Sequence, residues 1–341
     1  MTTRKNKVGI IGCGGIFKRH IEAIEQNNKY FELVAICDIE KKCLEINTVG
    51  LQIPGFLSHK DMLEKMRGKM NFIVVATPNS FHYSQAIDAL NYGCDVLIEK
   101  PVAFEAKKIK EISDIAKKLK RNAYVVLQVR YNPIIIRLRE FIKGNDIGEV
   151  ISVSLIQRWQ RPPQYFESWR ANKNIGGRTL YEVGIHYIDI MQLLFGKPSV
   201  ITSATFCNKH KYIKFEDTIF SILRFPNGAS GSLEVTVAAE PRNLECSLAI
   251  LTSKGYIKIG GKALDKIEEA LFSNLELSRA WDQTVAKTVA SEEPNSYGAY
   301  SGSCPNHPTL YREIARGLGI ECIDTIPTIS LIEEIYRKEV K

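Results

Sequence analysis

Three polar residues, Glu182, His186 and Asp189, interrupt an otherwise apolar segment running from Gly176 to Gly196. Intervals of four and three residues stack them on one face of a helix. Leu180, Val183, Ile185, Ile188, Ile190, Met191, Leu193, Leu194 and Phe195 surround that face, so the helix should be largely buried. A carboxylate or imidazole buried without partners is costly, so such a face lines a polar cavity, and an imidazole beside a carboxylate moves protons. The same spacing also fits a solvated Glu-His-Asp face. A second candidate is Lys100, in Glu99-Lys100-Pro101. Proline removes a donor and holds the preceding residue extended, which aims the ammonium. A fixed ammonium can stabilise developing negative charge, although a lysine at a strand end is often merely solvated.

The elements that must position these groups begin with β-branched runs at Val8 to Gly12, Glu32 to Asp38, Phe72 to Thr77, Asp95 to Lys100 and Ala123 to Val129. Helical patterns separate them, which implies right-handed crossovers and a doubly wound parallel sheet. Such sheets bind ligands beyond the carboxyl ends of their strands. The first strand runs into Gly12-Cys13-Gly14-Gly15-Ile16-Phe17. There Gly12 permits a tight turn, Gly14 lets a pyrophosphate approach, and the following helix aims its first amides at that phosphate. Phe17 stands where a small residue is usual. Asp38 closes the second strand, where a carboxylate accepts both hydroxyls of an adenosine ribose and disfavours a 2′-phosphate. NAD is therefore expected in preference to NADP, with Lys41 and Lys42 as the opposing charges. The strand ends Thr77-Pro78-Asn79 and Glu99-Lys100 share the edge of the glycine loop, and Lys100 falls at the nicotinamide end.

From about Ile151 the pattern changes to longer strands with period-two features: ISVSLIQRW, SVITSATFCNK, TIFSILRF, GSLEVTVA and CSLAILTSKGYIKIG. Phe225-Pro226-Asn227-Gly228 is a hairpin signal. Strands joined by turns make an antiparallel sheet with one face free for a partner subunit. Between the first of these strands and the polar-striped helix, Arg158, Arg161, Arg170, Lys173 and Arg178 meet one local acid, Glu167, with Trp159, Tyr165, Phe166 and Trp169 among them. Arginine forks suit phosphate or carboxylate, and aromatic faces suit sugars and bases. The stretch reads as a loop over an anionic sugar, or as a loop packed by its own aromatics.

Taken together, G-C-G-G-I with His20 downstream, ATPNSFHYSQAIDAL, Glu99-Lys100-Pro101, RYNP at Arg130 to Pro133, GNDIGEV at Gly144 to Val150 and GGRTLYEVGIHYID resemble the Gfo/Idh/MocA oxidoreductase family. The resemblance implies a Rossmann domain, set at residues 1–124, followed over 125–341 by an α/β domain with a large, mostly antiparallel open sheet. It implies a nicotinamide cofactor, Lys100 and His186 at the reaction centre, and a homodimer or homotetramer built on the open sheet face. Gly12, Gly14, Gly15, Ile16, Asp38, Thr77, Pro78, Asn79, His82, Glu99, Lys100 and Gln128 form the cofactor-binding set. Glu182 stands where the family usually has Asp, one methylene shorter, and is taken as a third catalytic residue. YFESWR and the stretch from Ser296 to Leu318 are similar to the nucleotide-sugar branch of the family. That similarity adds Tyr297 and His307 to a substrate set of Arg158, Trp159, Arg161, Tyr165, Trp169, Arg170, Arg178 and His186.

Composition narrows the remaining classes. A chain of 341 residues suits two domains, and 45% hydrophobic with 25% charged residues marks an ordinary globular protein. The N-terminal stretch fits a first strand better than a signal peptide, and no run reaches a membrane span, so a cytoplasmic protein is expected. Eight cysteines without a CxxC pair fit reduced thiols, and six histidines without ligand spacing argue against a structural metal. The net charge of +8 is scattered over helix faces, which does not suit nucleic acid. The leading expectation is an NAD-dependent sugar dehydrogenase. An NAD-retaining non-redox sugar enzyme and a dinucleotide-binding sensor are the other classes.

Overall fold

A computed structural model describes residues 5–286, 296–297 and 300–340. The chain forms two compact units, one of Met1–Leu127 with His307–Ile326 and the other of Gln128–Asn306 with Pro327–Lys341. The returning segment 307–326 was expected in the second domain; it joins the first because Tyr124 bridges to Glu321 and Asn27 Nδ2 donates to the Pro308 carbonyl at 3.0 Å.

The first unit contains strands β1 (Asn6–Ile11), β2 (Phe31–Cys37), β3 (Gly55–Phe56), β4 (Phe72–Val75), β5 (Asp95–Ile98) and β6 (Ala123–Val125). They pair in the order β3-β2-β1-β4-β5-β6, all parallel. Helices α1 (Phe17–Gln26), α2 (Lys41–Leu51), α3 (His59–Lys65), α4 (His82–Asn91) and α5 (Ala106–Leu119) make the crossovers. Every residue of β4 is buried, as continuous apolar runs covered on both faces require. The short β3 had no signal in the sequence, since two residues carry no periodicity.

In the second unit the sheet order is β13-β12-β11-β7-β10-β9-β8-β16. Its strands are β7 (Val150–Arg158), β8 (Ser199–Phe206), β9 (Thr218–Arg224), β10 (Ser230–Thr236), β11 (Glu245–Thr252), β12 (Gly255–Gly260), β13 (Lys266–Phe272) and β16 (Glu339–Val340), with a hairpin of β14 (Ser296–Tyr297) and β15 (Tyr300–Ser301) apart from it. All pairs are antiparallel except β7 with β10 and β8 with β16. The Phe225 to Gly228 hairpin forms as expected: Gly228 takes φ +88° and Phe225 N–H donates to the Ala229 carbonyl at 2.9 Å. Alternation along β9 and β10 buries Ile219, Leu223, Leu233 and Val235 on one face. The opposite face leaves Phe220 and Ile222 about half exposed.

Candidate functional site

The glycine loop leaves β1 at Gly12, whose N–H donates to the Cys37 carbonyl at 2.8 Å. Gly12 has φ +102°, and a Cβ there would lie 2.5 Å from the Ala76 carbonyl oxygen, so β1 and β4 leave room for glycine alone. A Cβ on Gly14 or Gly15 would meet no atom within 4 Å, so their backbone is open to a ligand's approach. Ile16, at the N-cap of α1, makes no side-chain cap, and helix N-termini of this kind suit a phosphate. Asp38 is held at the end of β2 by the N–H groups of Cys13 at 2.7 Å and Glu40 at 2.8 Å. Burial, with Asp38 adding to it, pushes the Cys13 thiol up to about 12, so it stays a thiol.

Thr77 and Asn79 follow β4; the Thr77 hydroxyl donates to Gln85 Oε1 at 2.6 Å, and Asn79 is buried in a 3-10 turn starting after Pro78. The His82 ring is buried with Nδ1 2.8 Å from the Pro101 carbonyl oxygen and Nε2 2.8 Å from that of Thr77. Burial pushes its pKa below the ordinary value while the two carbonyls pull it up. A neutral ring can donate to only one of them. His82 thus ties the turn after β4 to the turn after β5, where Lys100 stands. Glu99 and His307, assigned above to cofactor and substrate, share a different setting: both are buried with His20 inside the first unit. Among the described residues these three bring ligand atoms within 4.8 Å of one another.

In the second unit the polar stripe is built differently from an ideal helix. Leu180–Gly184 is a π-helical turn, and α-helix geometry starts at Ile185 and ends at Phe195. A π turn winds fewer degrees per residue, so the four-residue step from Glu182 to His186 no longer stacks the two as it would in an α-helix. Each carboxylate has its own partners. Glu182 Oε1 accepts from the Tyr165 hydroxyl at 2.9 Å and from Arg170 Nε at 3.2 Å. Asp189 makes a bidentate pair with Arg130 at 2.6 and 2.7 Å and accepts from Thr328 at 2.9 Å. His186 is buried in the first turn of the α-helix. Gln128 Nε2 donates to Ser303 at 2.9 Å in this unit.

The arginine-rich loop carries less free charge than its local sequence suggests. Arg158 binds Glu234 at 2.6 and 2.7 Å and Glu245 at 3.0 Å. It also points away from the helix: its neighbour Gln157 reaches the Val183 carbonyl, and successive strand residues face opposite sides. Arg158 therefore lies on the open sheet face, opposite the face of Gln157. Arg178 pairs with Glu216 at 2.6 Å and Glu339 at 3.2 Å and lies 3.8 Å from the Tyr336 ring centre. It forms one wall of a 430 Å³ cleft with Lys173, Lys214 and Phe206. Arg161 is buried between Trp159 at 4.9 Å and Tyr165 at 5.2 Å. Trp159 is itself core, edge-on to Tyr187 at 5.6 Å. Arg170 lies over Tyr165 and Trp169, so aromatic packing accounts for much of this loop. The side chain of Tyr297 lies outside the described residues.

Sequence reasoning missed Arg130 as the partner of Asp189 and Tyr311 as the partner of His20. RYNP contains Arg130, but its partner lies 59 residues on, and Tyr311 stands 291 residues from His20.

An oxidoreductase family model described as NAD-binding Rossmann fold matches residues 6–127, and the GFO/IDH/MocA C-terminal domain matches residues 135–258. The chain belongs to the Gfo/Idh/MocA family. It is an NAD-dependent oxidoreductase, and the open glycine backbone, uncapped α1 and fixed Asp38 fit that cofactor. Among solved Gfo/Idh/MocA-like structures, the WlbA dehydrogenase of Bordetella pertussis, in complex with NADH and UDP-GlcNAcA, is 29% identical with TM-score 0.84, covering 98% of this chain and 96% of that one. The corresponding Chromobacterium violaceum enzyme, with the same ligands, is 26% identical with TM-score 0.85, covering 99% and 94%. The levoglucosan dehydrogenase of Pseudarthrobacter phenanthrenivorans is 24% identical over 322 residues, 85% of this chain and 81% of its own length. No helix among the described residues is long and apolar enough to cross a membrane.

Proposed function

We propose that this chain oxidises a secondary alcohol on the ring of a nucleotide-linked, anionic sugar to a ketone. NAD supplies the two-electron acceptor for the hydride. Gly12, Gly14, Gly15 and Ile16 hold its pyrophosphate, and Asp38 its adenosine ribose. His186 takes the hydroxyl proton, and Lys100 stabilises the negative charge that develops on the same oxygen. The observation that carries the reading is the position of Lys100, two residues beyond β5 on the edge where β1 opens into the glycine loop. The similarity to two WlbA dehydrogenases over nearly the whole chain supports a nucleotide-sugar substrate. A neutral sugar is the second reading, favoured by the carboxylate partners of Arg158, Arg170 and Arg178. The half-exposed apolar residues Phe220, Ile222 and Ile201 on the open sheet face support a homo-oligomer.

NADH formation measured with UDP-linked N-acetylglucosaminuronate and with levoglucosan separates the two substrate classes. Lys100→Ala and His186→Ala should each lower turnover about 10²- to 10⁴-fold, the range for losing a positioned acid or base. NAD binding should change little. Near-normal turnover in either folded variant removes that residue from the mechanism.

A further inference from the structure

Glu99 is a carboxylate placed inside the first unit, 8% exposed, one residue before Lys100. Its Oε2 accepts the backbone N–H of Lys100 at 3.1 Å. Its Oε1 faces His20 Nε2 at 3.3 Å and His307 Nε2 at 3.7 Å. Nδ1 of His20 is hydrogen-bonded to the Tyr311 hydroxyl at 2.9 Å, and the two imidazole rings meet edge-on at 5.5 Å. His20, His307 and Tyr311 are wholly buried. They arrive from α1 and from the returning helix His307–Ala315, so two distant segments converge on one strand end.

A carboxylate only accepts, so the His20 ring carries a proton on Nε2, and in its neutral form Nδ1 accepts from Tyr311. His307 Nε2, at 3.7 Å, stands beside the carboxylate and beyond hydrogen-bond reach of it. Burial pushes the Glu99 carboxyl up, but the two imidazoles outweigh it and hold it well below the usual carboxylate range. Keeping a charged carboxylate this deep is costly unless several groups satisfy it, and the chain sets two imidazoles at contact distance from one oxygen and a backbone donor on the other. That donor is the Lys100 peptide itself.

We propose that Glu99, His20 and His307 are positioning residues for Lys100: the carboxylate, flanked by two imidazoles, clamps the peptide at the end of β5 and fixes the direction in which the Lys100 side chain leaves the sheet. This rests on the reading of Lys100 as the group that stabilises the reacting oxygen. Glu99 is too buried to serve as a catalytic residue. Its effect on the reaction passes through Lys100.

The test is a double-mutant cycle on the full chain with NAD and the active sugar. Glu99→Gln keeps the shape and removes the charge; it should lower kcat about 10- to 100-fold, as misplacing a catalytic group does. KM and NAD affinity should stay within about 3-fold, as expected of a change confined to positioning. In a Lys100→Ala background the same substitution should cost nothing further, because the group it positions is gone. His307→Gln keeps a polar N–H group beside Glu99 and should retain most of the turnover. His307→Leu should lose about as much as Glu99→Gln, and this pair decides the matter if Glu99→Gln fails to fold. Full multiplication of the two losses in Glu99→Gln/Lys100→Ala overturns the clamp, as does wild-type turnover in Glu99→Gln or His307→Leu. So does a stoichiometric divalent metal found by elemental analysis of the purified chain and needed for activity. Normal turnover in Lys100→Ala is a separate result, and it removes the underlying reading of Lys100.

Discussion

Replacing Asp189 with asparagine should destabilise the second unit by about 3 to 5 kcal/mol, the cost of breaking a buried ion pair from one side. Asp189 is 1% exposed, and the Arg130 side chain 12% exposed, so water cannot replace the lost partner easily. The carboxylate receives two parallel bonds from Arg130, at 2.6 and 2.7 Å, and a third from Thr328 at 2.9 Å. Asparagine keeps one oxygen and turns an NH2 group toward a guanidinium that can only donate. For a domain of this size each kcal/mol moves the melting point by about 2 to 4 °C, so the expected drop is about 6 to 20 °C. Thermal unfolding followed by circular dichroism, with a urea titration at constant protein concentration, measures it. Arg130→Met/Asp189→Leu should recover much of the loss, because a well-packed apolar pair avoids both desolvation penalties. A drop under about 2 °C in Asp189→Asn, below 1 kcal/mol on the same scale, would refute the reasoning, as would a double variant no better than the single one.

Gly12→Ala should abolish dinucleotide binding or folding, since the new Cβ would sit 2.5 Å from the Ala76 carbonyl oxygen at φ +102°; NADH fluorescence titration with a melting curve distinguishes the two, and wild-type affinity refutes the argument. Asp217 should contribute to acid stability: burial raises its pKa, but the amides of His210, Lys209 and Asn208 and the Thr218 hydroxyl outweigh burial and hold it below 3.8. A depressed folded-state pKa stabilises the fold above the unfolded value and is lost as pH falls through it, so Asp217→Asn should flatten the stability curve below about pH 4 and cost about 1 to 3 kcal/mol at neutral pH. An unchanged acid limb in urea titrations counts against it. Glu182→Gln should lower turnover and move the acidic limb of the pH-rate profile to lower pH, as losing a carboxylate that orients His186 does; an unchanged rate and limb would assign Glu182 to its Tyr165 and Arg170 partners alone.

The first sheet was legible because apolar runs alternated with helical patterns, and the glycine turn because φ +102° admits little else. The hairpin at Asn227-Gly228 was legible for the same local reason. What was hidden came from partners far along the chain. Arg158 seemed to lack acids because Glu234 and Glu245 lie 76 and 87 residues away on neighbouring strands. Arg178 finds Glu339 at a separation of 161. A count of charge within one loop says little about charge in the folded loop, since sheet register decides which strands face each other. The π turn was hidden for another reason: apolar spacing of three and four residues looks the same whether or not one turn is widened.

Three carboxylates, Glu99, Glu182 and Asp189, lie within four residues of Lys100 or His186 in the sequence. Their partners sort them. Asp189 is bound by a guanidinium fork and a hydroxyl, which makes it an anchor for the helix that starts at Ile185. Glu182 joins Tyr165 and Arg170, so it ties the aromatic loop to the π turn. Glu99 bonds the backbone of a proposed catalytic residue, Lys100. Nearness in sequence to a reactive group is therefore a poor guide to which carboxylate serves it. The atom that each oxygen accepts from is the better guide, and it directs mutagenesis to Glu99 first.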